Sequence, residues 1–289
     1  MKYFSILFLL FSVFNLKAQK IDSANLEVLR DYEIRLSGLG ENMVRNFDEA
    51  TRITSGKNFI MQLSRALRVE GSFYYPFDSL KNVMKLTSPD GLFRMLTWNV
   101  ATNDEHFRYF GVVQMNPKKL EELNSVEPMY ESFYPLIDRS DSLKSYLFVE
   151  TGANHWYGAN YYKIIKTSLN KKDYYTLLGW DGADSLITKK IADVLHFKEG
   201  KPRFGAPIFD LKRKTVFYRM VFEFNDEATM ALRYDEKRKY LIYENIVPDK
   251  PENAAFAEHY YPDGSFDYMI WNKKGQWEKQ PKMLEVFEK

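Results

Sequence analysis

The residues best equipped for chemistry crowd into positions 150–184: Glu150, Asn154, His155, Trp156, Tyr157, Asn160, Tyr161, Tyr162, Trp180, Asp181 and Asp184. Amide, imidazole and carboxylate groups alternate there with large flat rings. That mixture suits a sugar cleft, in which ring faces take C–H groups and polar side chains take hydroxyls. Asn154, His155, Trp156, Tyr157, Asn160, Tyr161, Trp180 and Asp181 are the candidate ligand contacts. A second chemistry uses the carboxylates: Asp181 with Asp184 or Glu150 forms the acid pair of a glycosidase or part of a calcium site, and His155 beside Asp181 forms an acid/base pair. Against both stands a plain structural role. Trp and Tyr are ordinary strand formers, Gly158 permits a bend and Asp181-Gly182 makes a turn, so the rings are expected mainly to fill a core.

Stronger catalytic signatures are missing. The chain contains no HExxH, GxSxG, GxxxxGK[ST] or GxGxxG string and no calcium-binding helix–loop–helix loop. The four histidines, His106, His155, His196 and His259, lie far apart, so a histidine zinc site would have to be assembled from distant strands. Ser168-Leu169-Asn170-Lys171 matches SxxK but falls in a hairpin connection, where the lysine is solvated and unable to act as a base. No metal or cofactor is therefore expected.

The elements that must position these residues change period along the chain. Over 23–69 the apolar residues recur at helical spacing, with Gly38, Gly40 and Ser55-Gly56 as breaks, which predicts three helices. From Gly71 the period falls to two. Strands are predicted at 92–100, 106–115, 147–151, 161–167, 174–180, 189–197, 215–224, 228–234, 240–247, 266–272 and 276–279. Short polar connections such as 168–173, 225–227, 235–239 and 272–275 can join only antiparallel neighbours. The expected fold is mainly β: an antiparallel meander, curled, barrel-like or as an irregular propeller, with the helical segment packed on it. In the 161–180 hairpin, Tyr161 and Trp180 fall at one end, drawing the 154–160 loop toward Asp181. The tip at Asp235-Glu236-Lys237-Arg238-Lys239 is expected to be solvated.

Several strings are also familiar. Pro76-Phe77-Asp78-Ser79-Leu80, residues 88–98, Trp156-Tyr157-Gly158-Ala159-Asn160-Tyr161-Tyr162, residues 175–182 (YTLLGWDG), Phe204-Gly205-Ala206-Pro207 and residues 261–267 resemble a family of uncharacterised exported proteins of Bacteroidetes-type bacteria. The similarity spans most of the chain after its first residues. It implies export and brings no catalytic residue with it.

The first residues agree with that implication. Met1-Lys2 precedes an apolar stretch of 14 residues from Tyr3 to Leu16, then Ala18, the layout of a secretory leader over 1–19. The stretch is shorter than the roughly 20 residues a membrane-crossing helix needs. Removing it takes away Lys2 and Lys17 but no acid, leaving 39 basic and 39 acidic residues. A neutral mature chain without long basic runs argues against nucleic acid as a partner. Cysteine is absent, which suits an oxidising compartment. With 47 aromatics among 289 residues, the chain can build an ordered core without disulfides. The expected organisation is a leader at 1–19, helices over 20–70 and a β-rich region over 71–289. The expected role is a periplasmic or extracellular binding or structural protein of the cell envelope, recognising glycan or another envelope component. An envelope glycan hydrolase using paired carboxylates is the alternative.

Overall fold

The computed structural model describes residues 21–103, 106–126 and 130–280, so the leader read at 1–19 lies outside the described residues. The chain opens with α1 (Ser23–Arg45) and α2 (Glu49–Ala66). Next come β1 (Met84–Thr87), β2 (Phe93–Ala101), β3 (Phe107–Met115), α3 (Pro117–Val126) and β4 (Phe133–Ile137). Then follow β5 (Thr151–Gly152), β6 (Asn160–Leu169), β7 (Lys172–Asp181), β8 (Ile187–Lys198) and β9 (Lys201–Phe204). The last part holds β10 (Phe209–Asp210), β11 (Met220–Asn225), β12 (Leu232–Asp235), β13 (Tyr240–Pro248), β14 (Tyr260–Trp271) and β15 (Trp277–Lys279). The fold is thus mainly antiparallel β with helices at its N-terminal end, and no closed barrel forms among the described residues.

The strands make three sheets, ordered β1-β2-β3-β4, β5-β9-β8-β7-β6 with β11 beside β8, and β10-β15-β14-β13-β12. The two-residue β10–β15 pair is parallel. Side-chain alternation along β2 shows how the layers stack. Phe93 and Met95 pack with Tyr161, Tyr175, Leu177 and Ile191 of the central sheet, whereas Leu96, Trp98 and Val100 pack with Leu36, Met43, Phe59 and Leu63 of the helices. The far face of the central sheet, with Leu178, Ala192, Val194 and Phe224, packs on Leu241, Met269 and Trp277 of the third sheet. The order is helices, first sheet, central sheet, third sheet. Each large apolar side chain removed from water across these layers stabilises the fold by roughly 1.5–3 kcal/mol before its entropy cost.

Two helices form where three were expected. α1 runs through Gly38 and Gly40, and α2 runs through Ser55-Gly56; the break comes at Asn46–Asp48, where the Asp48 carboxylate accepts the Thr51 amide at 2.9 Å. A Cβ on Gly40 would touch Phe59 at 3.9 Å, and one on Gly56 would lie 3.5 Å from Val100 and 3.7 Å from Met43. These glycines let helices and sheet approach closely; they do not end a helix. The helix α3 was not anticipated, although Asn116, whose side chain accepts the Lys118 amide at 3.1 Å, and Pro117 mark its start.

Among the strands, 215–224 shortens to β11, because Phe217 instead bridges Phe209 and the Tyr218 amide bonds Leu147. Its partner is β8 of the central sheet, so the short 225–227 connection does not return to an adjacent strand; the chain crosses to the third sheet at β12. Residues 147–151 become a tight turn, Tyr146–Phe148, and the short β5. The β6–β7 hairpin forms with Asn170 and Lys171 at φ 50° and 64°, the left-handed pair of a tight turn whose twist matches its strands.

Candidate functional site

The site grows from an interruption at the edge of the first sheet. β4 pairs with β3 only over Phe110–Gln114, leaving residues 107–109 without a strand neighbour on that side. The Asp138 side chain takes that place. Its carboxylate accepts the Tyr109 amide at 3.2 Å, the Ser140 amide at 3.0 Å and the Gly158 amide at 3.1 Å. A Cβ on Gly158 would lie 2.5 Å from that carboxylate, so only glycine lets the 156–158 segment come so close. The segment is held from its other end as well: the Trp156 amide donates to Ile137 and its carbonyl accepts from Arg139.

Between this edge and the ends of β7 and β8 opens a cleft of about 460 Å³. Arg108 and Tyr109 reach it from β3, Ser140, Asp141 and Tyr146 from the connection after β4, Tyr157 from the tethered segment, and Asp181, Asp184 and Lys189 from the central sheet. The β3 end grips the turn after β7. The Tyr109 hydroxyl accepts the Gly182 amide at 2.8 Å, His106 Nδ1 lies 3.1 Å from the Ala183 carbonyl, and Phe107 packs edge-on against Trp180 at 5.8 Å. Ala183 is held at φ 45°, a left-handed conformation that a side chain seldom adopts, and Asp181 Oδ1 accepts its amide at 2.9 Å. The backbone strain falls at the rim of the cleft.

Charge inside the cleft is largely cancelled. Asp181, Lys189 and Glu223 occupy one cross-strand row, each directly opposite the next. Burial works against the Lys189 charge, but Glu223 at 3.0 Å outweighs it and raises the ammonium's pKa, so this lysine is charged and already paired. Asp181 is 6% exposed, and burial raises its carboxyl above the usual range despite the Ala183 amide, Lys189 and the Tyr109 hydroxyl. Burial likewise raises the phenols of Tyr109, Tyr146 and Tyr157, with Asp181 adding to the shifts of Tyr109 and Tyr157 and Glu223 to that of Tyr146. They stay protonated at any physiological pH. Behind the cleft, the Arg219 guanidinium lies 5.7 Å from the Tyr157 ring centroid, forms a fully buried ion pair with Asp193 at 3.1 Å and donates to the Tyr146 carbonyl. Tyr157 is therefore wedged between this cation and the Tyr146 ring, 5.2 Å away.

The residues singled out by sequence are distributed over six places. Tyr157, Asp181 and Asp184 come together in the cleft. Trp156 and Tyr161 are core rings with no exposure, joined by a 3.1 Å bond from the indole N–H to the phenol oxygen. Asn160 and Trp180 face each other across β6 and β7, and Asn160 also donates to Asn99 at 3.0 Å. Asn154 and His155 are exposed on the tight turn Ala153–His155, outside the cleft lining. Glu150 lies 3.0 Å from His196, also outside it. Ser168 bonds Asp173 at the hairpin tip, and Lys171 is exposed beside it.

Tyr109, Tyr146 and Lys189 were not picked out from sequence. Lys189 had a signal, since pairing 174–180 with 189–197 puts it opposite Asp181. Tyr109 had none, because nothing local states that β3 packs on the β7 end. Among the described residues, no group of three or more His, Asp or Glu side chains is arranged to hold a metal ion. No helix of the described residues is long and apolar enough to cross a membrane. No protein-family profile matches the chain, and comparisons with curated proteins and with solved structures find no match.

Proposed function

We propose that this protein works outside the cytoplasm as a non-catalytic binding protein of the cell envelope, and that it takes a neutral, hydroxyl-rich ligand of glycan type in the cleft around Tyr157 and Asp181. One observation carries the reading: three protonated phenols, a buried carboxyl and a lysine already neutralised by Glu223 converge on a single cavity of about 460 Å³. Donors, acceptors and groups that do both are interspersed there, which matches hydroxyls that must both give and accept hydrogen bonds. An anionic ligand would meet no unpaired excess of positive charge, because Asp141, Asp181 and Asp184 share the cleft with Arg108 and Lys189. The leader-like residues 1–19 support export.

The test is calorimetric titration with a panel of mono- and disaccharides. Binding of at least one sugar, weakened about tenfold or more by Asp181→Asn or Tyr146→Phe, is expected, since a buried hydrogen bond to a charged or polar partner is worth roughly 1–3 kcal/mol. No heat with any sugar overturns the reading. One further arrangement favours the hydrolase alternative: Asp181, whose carboxyl burial raises above the usual range, shares the cleft with Asp184. Asp184 Oδ1 is already occupied by the Leu186 amide at 2.8 Å and the Ile187 amide at 2.9 Å, which counts against it as a free base. Turnover of a nitrophenyl glycoside that disappears in Asp181→Asn would establish catalysis in place of simple binding.

A further inference from the structure

The polar cleft is one of two adjoining spaces. Around the open edge of β3, on the helix-facing side of the first sheet, lies a second chamber of about 640 Å³. Ile60 and Leu63 of α2 and Leu67 at its end form one wall; Trp98, Phe110 and Val112 of the sheet form the other. The two spaces share Phe107, Arg108, Tyr109, Ser140 and Asp141 in their linings, so they flank the β3 end that β4 leaves unpaired and Asp138 caps. At the rim, Ile137 is 44% exposed, an apolar side chain left in water beside an apolar cavity. The Trp98 indole N–H is buried without a hydrogen-bond partner.

We propose that the ligand is an amphiphile: its aliphatic chain fills the chamber between α2 and the β3–β4 face, and its hydroxylated head lies in the Tyr157–Asp181 cleft. The inference rests on the glycan-type reading of the cleft and adds the apolar half of the ligand. A free sugar would leave the larger, apolar space filled with water, whereas an alkyl chain displaces that water and gains roughly fourfold in affinity for every methylene buried. Arg108 and Tyr109 belong to both linings, so chain and head lie on either side of the same end of β3. The cavity volumes each fall within the range that binding sites for small molecules occupy, about 300–1,000 Å³.

The experiment titrates the full mature chain with methyl, butyl, hexyl and octyl β-glucosides below their micellar concentrations. In parallel it uses Ser64→Phe, which projects a ring into the chamber from a half-buried position of α2, and Ile60→Trp as a second filling variant. Folding of each variant is checked by its thermal transition. Affinity is expected to rise at least tenfold from butyl to octyl in the wild type and to become independent of chain length in both variants, while methyl glucoside binds all three proteins alike. Binding that ignores chain length in the wild type but weakens in Asp181→Asn overturns the amphiphile and leaves the glycan reading standing. A length dependence that persists in both filled variants places the chain elsewhere and also overturns it. No binding of any glucoside, together with no heat from any sugar of the panel above, overturns both.

Discussion

Asp181 and Lys189 stand directly opposite one another across β7 and β8, yet the Lys189 ammonium is held by Glu223 at 3.0 Å, from the next strand over. The carboxyl that would be its natural partner is left buried beneath the cleft, beside the Tyr109 phenol and near Asp138. An acid in that position is held at a cost to the fold that the Ala183 amide, Lys189 and the Tyr109 hydroxyl offset only in part.

The cost has a measurable sign. Burial raises the folded-state pKa of Asp181 above its ordinary value of 3.8, so the stability tied to its protonated form is complete below about pH 4 and lost as pH rises through the folded value. Asp181→Asn is therefore expected to melt above the wild type at pH 7, by on the order of 2–4 °C for about 1 kcal/mol, with the gap closing below pH 4. Scanning calorimetry between pH 3 and 8 checks it; a variant less stable than wild type at pH 7 refutes the account.

Asp90 has the opposite behaviour. Burial pushes its carboxyl up, but hydrogen bonds from Lys166, Ser88, Tyr175 and the Leu92 amide together outweigh it and hold the pKa at about 2. Its contribution is present above the unfolded value near 3.8 and disappears as pH falls from about 4 to 2. Because the side chain is a quarter exposed, solvent screening limits the effect to about 1 kcal/mol. Urea titrations at pH 7, 2.5 and 1.5 are expected to show Asp90→Asn weaker than wild type at the first, by a smaller margin at the second and nearly equal to it at the third.

At Gly158 the limit is steric. Alanine there meets the Asp138 carboxylate, and overpacking of this kind costs roughly 1–3 kcal/mol. Asp138→Ala removes the obstruction along with three backbone anchors, so the double variant should lose clearly less than the two single losses added together. Strict additivity in a denaturation cycle would mean that the close approach of these two residues carries no strain.

Gly38 lies inside α1 with no atom within 4 Å of where its Cβ would be. Gly38→Ala should stabilise the protein by about 0.5–1 kcal/mol, since the helix gains propensity and meets no neighbour. A loss of stability, read from the midpoint of chemical unfolding, would argue that α1 bends at this position in solution.

Much of the architecture is legible along the chain. The change from helical to two-residue period at Gly71 divides the helices from the sheets, and β2, β3, β6, β7, β8 and β13 begin and end within three residues of where alternation puts them. These are local signals, written into side-chain spacing by the geometry of helix and strand. Hairpin partners also follow when the loop is short and both strands belong to one sheet, as with β6 and β7. Where two layers exchange the chain, as between β11 and β12, a short connection misleads because neighbours in sequence then belong to different sheets.

The site divides the same way. From residue types alone, the 150–184 segment concentrates chemistry, and Tyr157, Asp181 and Asp184 from it do share a cleft. Which rings face a ligand and which fill the interior was decided by layering: the central sheet is covered on both faces, so Trp156 and Tyr161 are enclosed, while the unpaired end of β3 leaves Tyr109 and Tyr157 beside an opening. Local sequence determined strands, turns and the supply of polar and aromatic groups, because those depend on near neighbours. Only the stacking of the first sheet on the central one decided the cavity, because packing free energy belongs to surfaces that meet across 73 residues of chain, as Tyr109 and Gly182 do.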